Sequence, residues 1–185
     1  MAPSPIDTRA AVMIPTAFRS GTAPGFTLLE LLVTVAVLAI LATVALPTHF
    51  RLVASHQLTA AANDLFVALQ YARQESVRRN APVQVCGSAG GQACDGGGWQ
   101  QWIVRSTTGE VLRTGRIPPS VSVQPAGLFD AGTQFTAGGL FHQVGGRQQE
   151  GRMQMCSARA KRGLELEARG GVQLRLAAAA PVQCP

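Results

Sequence analysis

Lysine is almost missing from this 185-residue chain, with Lys161 the only one among sixteen cations. Charged residues of all kinds make up 14% against 46% hydrophobic, which excludes an intrinsically disordered chain. The net charge of +6 suits acidic partners such as nucleic acid or anionic lipid, and equally the arginine bias of a GC-rich proteome. Net charge speaks to association and not to fold. Catalytic signatures are missing as well. No HExxH, GxSxG, Walker loop or GxGxxG occurs, and Gly96-Gly97-Gly98 is not preceded by a strand and opened into a helix as a phosphate loop requires. Asp64, Asp95, Asp130 and the glutamates show no paired arrangement for acid–base work. No CxxC occurs, and His49, His56 and His142 all stand away from the cysteines, so neither a zinc site nor a redox pair is expected. These absences predict a protein that is not an enzyme and holds no cofactor or metal.

What the chain does have is one long apolar run. Phe26 to Leu46 carries a single charge, Glu30. As a helix it spans roughly 31 Å, enough for a hydrocarbon core of about 30 Å. Arg9 and Arg19 precede it against Asp7, a bias that holds that end in the cytoplasm and exports everything after Leu46. An ordinary cleaved signal peptide has a shorter apolar region, about 7–15 residues, ending at a small-x-small site. A plain single-span anchor fits the composition. Gly25-Phe26-Thr27-Leu28-Leu29-Glu30 argues against both. A carboxylate in a membrane helix costs roughly 2.5–3.5 kcal/mol at mid-bilayer, somewhat less near the edge, so it needs a partner. Cleavage after Gly25 would free the Phe26 amine, and pairing of that cation with Glu30 of a neighbouring subunit would set axial register in a polymer.

Beyond the run, a helix is predicted to continue to about Asn80. Leu58, Ala62, Leu65, Leu69, Ala72 and Ser76 share one face of it, whereas Arg73, Glu75, Arg78 and Arg79 lie off that stripe and are expected in solvent. Asn80-Ala81-Pro82 ends it. Strand signals follow at 83–86, 99–105, 110–116, 120–124, 133–137 with 140–143, 152–157, 163–168 and 172–176, separated by glycine-rich turns and Pro118-Pro119. The fold class is therefore α+β, a long N-terminal helix, membrane-spanning in its first half, packed on an antiparallel β-sheet or β-sandwich. The cysteines Cys86, Cys94, Cys156 and Cys184 all follow the apolar run. An even count on the exported side fits structural disulfides, with three pairings open.

Residues 25–47, GFTLLELLVTVAVLAILATVALP, resemble the prepilin signature of type IV pilins and type II secretion pseudopilins. That resemblance implies a leader, 1–25, cut by a prepilin peptidase between Gly25 and Phe26, with methylation of the Phe26 amine. It further implies a transmembrane helix at 26–46, a periplasmic continuation at 47–80 bent at Pro47, and a β-rich periplasmic domain at 81–185. The leader is longer than most in the family, and a start at Met13 would shorten it.

One branch is resembled in particular, the FimT/GspH minor pilins and pseudopilins. Residues 63–86, NDLFVALQYARQESVRRNAPVQVC, are similar to its helix end and first strand, and Cys94 with Trp99 to Val104 to its Cys-to-Trp stretch. Met153-Gln154-Met155-Cys156 and Cys184 are similar to its second cysteine pair. The pairing so implied is Cys86 with Cys94 and Cys156 with Cys184. The implied function is a structural subunit of a type II secretion pseudopilus or type IV pilus in the bacterial inner membrane, single-pass with its N-terminus cytoplasmic. Its partners would be other pilins or pseudopilins, the prepilin peptidase and an inner-membrane assembly platform. The alternative is a FimT-type minor pilin that binds DNA for natural transformation. The matching motif there, Gly-Arg-x-Arg, reads Gly170-Gly171-Val172-Gln173, which leaves Arg159, Lys161, Arg162, Arg169 and Arg175 as candidate DNA contacts beside Glu165 and Glu167.

Overall fold

The computed structural model describes residues 25–179, apart from the side chains of Val44, Leu46 and Pro47. The leader with Arg9, Met13 and Arg19, the side chain of Pro47, and Cys184 lie outside the described residues. The chain divides between Leu41 and Ala42 into two units. Helix α1 (Leu28–Arg79) begins in the first and ends in the second.

In the second unit α1 is followed by β1 (Val83–Gly87), β2 (Gln101–Ser106), β3 (Val111–Arg116), β4 (Ser122–Gly127), β5 (Thr133–Phe135), β6 (Phe141–Gln143), β7 (Gly151–Ser157), β8 (Arg162–Arg169) and β9 (Gln173–Ala178). They form two antiparallel sheets, ordered β3-β2-β1-β5-β6 and β4-β7-β8-β9. The α+β expectation holds, and the strands fall close to the sequence signals. Several run a residue or two longer than expected. β4 continues through Pro125, which lacks an N–H to donate and is tolerated because β4 is an edge strand.

Alternation in the sequence becomes two-facedness in the second sheet. Met153 and Met155 on β7 lie across from Leu166 and Leu164 on β8, all buried, while Gln154, Glu165 and Glu167 point the other way. Leu58, Ala62, Leu65, Leu69 and Ala72 of α1 join one core with Val85, Trp102, Phe135 and Phe141 of the first sheet and Met153, Met155 and Leu166 of the second. Each fully buried leucine or phenylalanine contributes about 1.5–3 kcal/mol. Trp102 needs the glycine across from it, because a Cβ on Gly115 would lie 2.1 Å from the indole.

The helix stops on a Schellman turn. Asn80 takes a left-handed φ of 48°, its N–H donates to the Val77 carbonyl, and the Ala81 N–H donates back to Ser76. Pro82 then prevents any continuation.

Of the four side chains expected in solvent only Arg78 is there, and Arg79 is partly buried between Glu75 and Glu110. Glu75 is only 8% exposed, gripped by Arg78 through two hydrogen bonds (2.6 and 2.9 Å) and by Arg79 at 2.8 Å. Those bonds, Arg78 first and then Arg79, hold its carboxyl down to about 2. Arg73 is half-buried over the rings of Phe135 and Phe141, 5.8 and 5.5 Å from their centroids, and donates to the Val172 carbonyl in the β8–β9 turn. Its pKa is lowered by burial. Helical periodicity locates the stripe that faces the sheets but not what folds over its flank.

Candidate functional site

At the start of α1, Thr27 acts as the N-cap: its hydroxyl accepts the Glu30 N–H at 3.2 Å and its carbonyl the Leu31 N–H at 3.1 Å. Thr27-Leu28-Leu29-Glu30 has the Ser/Thr-x-x-Glu capping spacing, a signal in the sequence that locates the first turn and that the reading above does not use. The cap places Gly25 and Phe26 ahead of the helix, so the peptide bond between them lies outside any helical turn. A Cβ built on Gly25 meets nothing within 4 Å, so the chain itself does not demand glycine there. Glu30 sits in the first turn, where a negative charge suits the helix dipole, and its side chain has no ion-pair partner among the described residues.

From this cap onward the helix is bare. Phe26 is 82% exposed, Leu32 60% and Leu38 63%. The most apolar window has a mean hydropathy of 2.6 and none of it is buried by the chain's own residues. An apolar surface of this extent is stable only under lipid or under other protein.

The β-rich domain carries the staples. Cys86 and Cys94 form the expected disulfide, with Cα atoms 5.6 Å apart. Beside it Asp95 accepts N–H groups from Ala89 (2.9 Å), Gly97 (3.0 Å) and Gly90 (3.4 Å), and these backbone bonds, Ala89's the largest, hold its carboxyl below the usual range. Cys156 is not a free thiol.

The candidate DNA contacts do not form one patch. Arg159, Lys161 and Arg162 cluster at the β7–β8 turn. Arg169 lies at the far end of β8, roughly 24 Å away by strand rise. There Arg169 pairs with Glu167 at 3.1 Å, Arg175 lies directly across from Glu167, and Arg152 pairs with Glu165 at 3.7 Å. Charges of both signs share that face, and no run of cations tracks along it. Gly170 and Gly171 both have positive φ, and a Cβ on Gly171 would lie 3.0 Å from the Phe141 carbonyl oxygen. An arginine at 171 would therefore be strained. Among the described residues no group of histidine, cysteine or acidic side chains gathers as for a metal ion.

An uncovered apolar helix with a capped, acidic first turn, followed by a disulfide-stapled helix-on-sheet domain, defines a subunit anchored by its N-terminal helix and carrying a soluble C-terminal domain. Residues 61–170 match the family of type II transport protein GspH, and residues 23–46 match the prokaryotic N-terminal methylation motif. The chain belongs to the GspH family and is a pilin-like subunit of the minor pilin or pseudopilin kind. Similar solved structures include the type IV minor pilin FimU of Pseudomonas aeruginosa (strain PAO1) in two crystal forms. One is 21% identical, covering 71% of this chain and 94% of that one, with a TM-score of 0.47. The other is 20% identical, covering 69% and 96%, also with a TM-score of 0.47. No match was found among curated proteins.

Proposed function

We propose that this subunit is cut between Gly25 and Phe26 by a prepilin peptidase, methylated on the Phe26 amine, and held as a single-pass inner-membrane protein with its β-rich domain in the periplasm. From there it enters a pilus or pseudopilus with other pilins, through an inner-membrane assembly platform. Glu30 pairs with the Phe26 amine of a neighbour and sets axial register, and Pro47 lies where the helix leaves the bilayer. Cys156 and Cys184 form the second bridge of the periplasmic domain. The observation that carries this reading is the bare helix: among the described residues nothing covers its large apolar side chains, and its first-turn carboxylate has no cation. Lipid covers such a surface before assembly and neighbouring helices cover it afterwards.

The test is co-expression of the full chain with a prepilin peptidase. The mature protein should begin at Phe26 with one added methyl group. Gly25→Ala should block cutting, and since nothing in the chain crowds that position the loss belongs to the peptidase. Glu30→Ala should be cut normally and fail to enter filaments. An intact N-terminus in membrane fractions, or normal incorporation of Glu30→Ala, would overturn the reading.

A further inference from the structure

We propose that the cleft between α1 and the β7–β8 turn holds the phosphate headgroup of an anionic phospholipid. This open cleft of ≈ 500 Å³ is lined by Phe50 and Arg51 on the helix and by Ala158, Arg159 and Lys161 on the turn. Arg162 secures the arrangement by donating to the Ser55 hydroxyl of α1 at 3.2 Å. Among the described residues no carboxylate lines the cleft. The nearest acid along the helix, Asp64, is bound to Arg113 at 2.7 Å, and Glu165 and Glu167 are paired with Arg152 and Arg169. Arg51, Arg159 and Lys161 make no ion pair among the described residues. Three like charges gathered with no counter-charge among the described residues repel one another, and an anion between them relieves that repulsion.

A second observation points the same way. Lys161 adopts a left-handed φ of 51°, a conformation that glycine or asparagine takes at lower cost. The chain's only lysine therefore stands where a turn would favour glycine, and it lines the cleft. Backbone strain of this sort marks positions where the side chain has a use.

The position favours lipid over a soluble anion. Arg51 follows Leu46, the last residue of the apolar run, by about 7.5 Å of helix rise, which matches the depth of the headgroup layer. Phe50, 52% exposed, gives the cleft an aromatic wall at the level where aromatic side chains border the hydrocarbon. Cations just outside such a belt meet phosphates, each contributing about fivefold to attraction for an anionic surface.

The inference rests on the membrane-anchored reading above, so anchoring and headgroup preference are measured separately. Flotation of the full chain with phosphatidylcholine vesicles reads anchoring, and failure of the wild type to float would overturn that reading. For the headgroup, the delipidated full chain in neutral detergent is titrated with phosphatidylglycerol or phosphatidylcholine, and bound lipid is counted by native mass spectrometry. Phosphatidylglycerol should be retained in preference. Lys161→Gly, which suits the turn's backbone, should weaken that retention about fivefold without lowering the unfolding midpoint, and Arg159→Gln should do the same. Arg169→Gln, outside the cleft, should change nothing. Equal retention of both lipids, or retention unaffected by Lys161→Gly and Arg159→Gln, would overturn the proposal. Two further outcomes would reassign the cleft. Inorganic phosphate binding as tightly as phosphatidylglycerol would make it a soluble-anion site, and a duplex oligonucleotide lost on Lys161→Gly with lipid unaffected would make it a nucleic-acid contact.

Discussion

The two stretches of α1 on either side of Ala42 obey opposite rules. Between Leu28 and Leu41 apolar residues surround the helix on every side and all of the large ones are exposed. Between Ala54 and Ser76 one apolar stripe is buried against two sheets, and Val67, off that stripe, is the exposed large apolar residue. An all-round apolar helix cannot satisfy itself with a single core, whereas a striped one needs no more than that. One helix is thus written for two solvents, and its first stretch depends on lipid or neighbours for what the second obtains from its own chain.

Both tryptophans, Trp99 and Trp102, are buried in the β-rich domain, so their fluorescence reports unfolding of that domain in the intact chain. The comparison breaks hardest at Leu65. Leu65→Ala should lower domain stability by about 2–5 kcal/mol in denaturant titrations read by tryptophan emission. Leu38→Ala, the same change in the bare stretch, should leave the curve in place. A matching loss at Leu38 would mean that the two stretches do not differ as described.

Removing the Cys86–Cys94 bridge by Cys86→Ser with Cys94→Ser should cost about 2.5 kcal/mol for a loop of this length, seen as a lower midpoint in the same titration. Insertion of the helix into membranes should not change, because the bridge lies wholly in the β-rich domain.

Arg73→Ala removes the hydrogen bond to Val172 and the cation over Phe135 and Phe141, and should lower stability by about 2 kcal/mol. Arg73→Lys should recover part of it, since an ammonium keeps the charge without the planar fork. Full recovery by lysine would reduce the contact to simple charge.

The smallest effect is expected in acid. Glu75 is held to about 2, below its ordinary 4.5, so the stability it contributes is present above the ordinary carboxylate range and is lost as pH falls towards 2. Acid titration of tryptophan emission should show the wild type losing stability relative to Glu75→Gln between about pH 4.5 and 2. Parallel curves would show that the grip of Arg78 and Arg79 stabilises nothing.

Most of the fold was legible because its signals are local. The period-2 alternation of Leu164 to Glu167 predicts β8, and Asn80-Ala81-Pro82 predicts the helix stop that the Schellman turn makes. The stripe from Leu58 to Ser76 is buried throughout. Trp99 shows where this ends. The sequence signal opens a strand at Trp99, yet this residue sits in a turn before β2 and donates its indole N–H to the Phe129 carbonyl at 3.0 Å. That partner lies on a distant loop and leaves no trace in the local pattern.

The sequence by itself determined the bare helix, its acidic first turn and the positions of most strands. Each follows from the free energy of neighbouring residues in one solvent, and periodicity encodes that directly. Only the tertiary structure decided which charges meet. Glu75 was drawn under two arginines, and Arg73 was laid over two rings from another part of the chain. The basic C-terminal stretch was parted by the length of β8, while Ser55 and Arg162 came together across 107 residues. Charges act over a few ångströms of space, and chain folding sets that distance with little regard to separation in sequence.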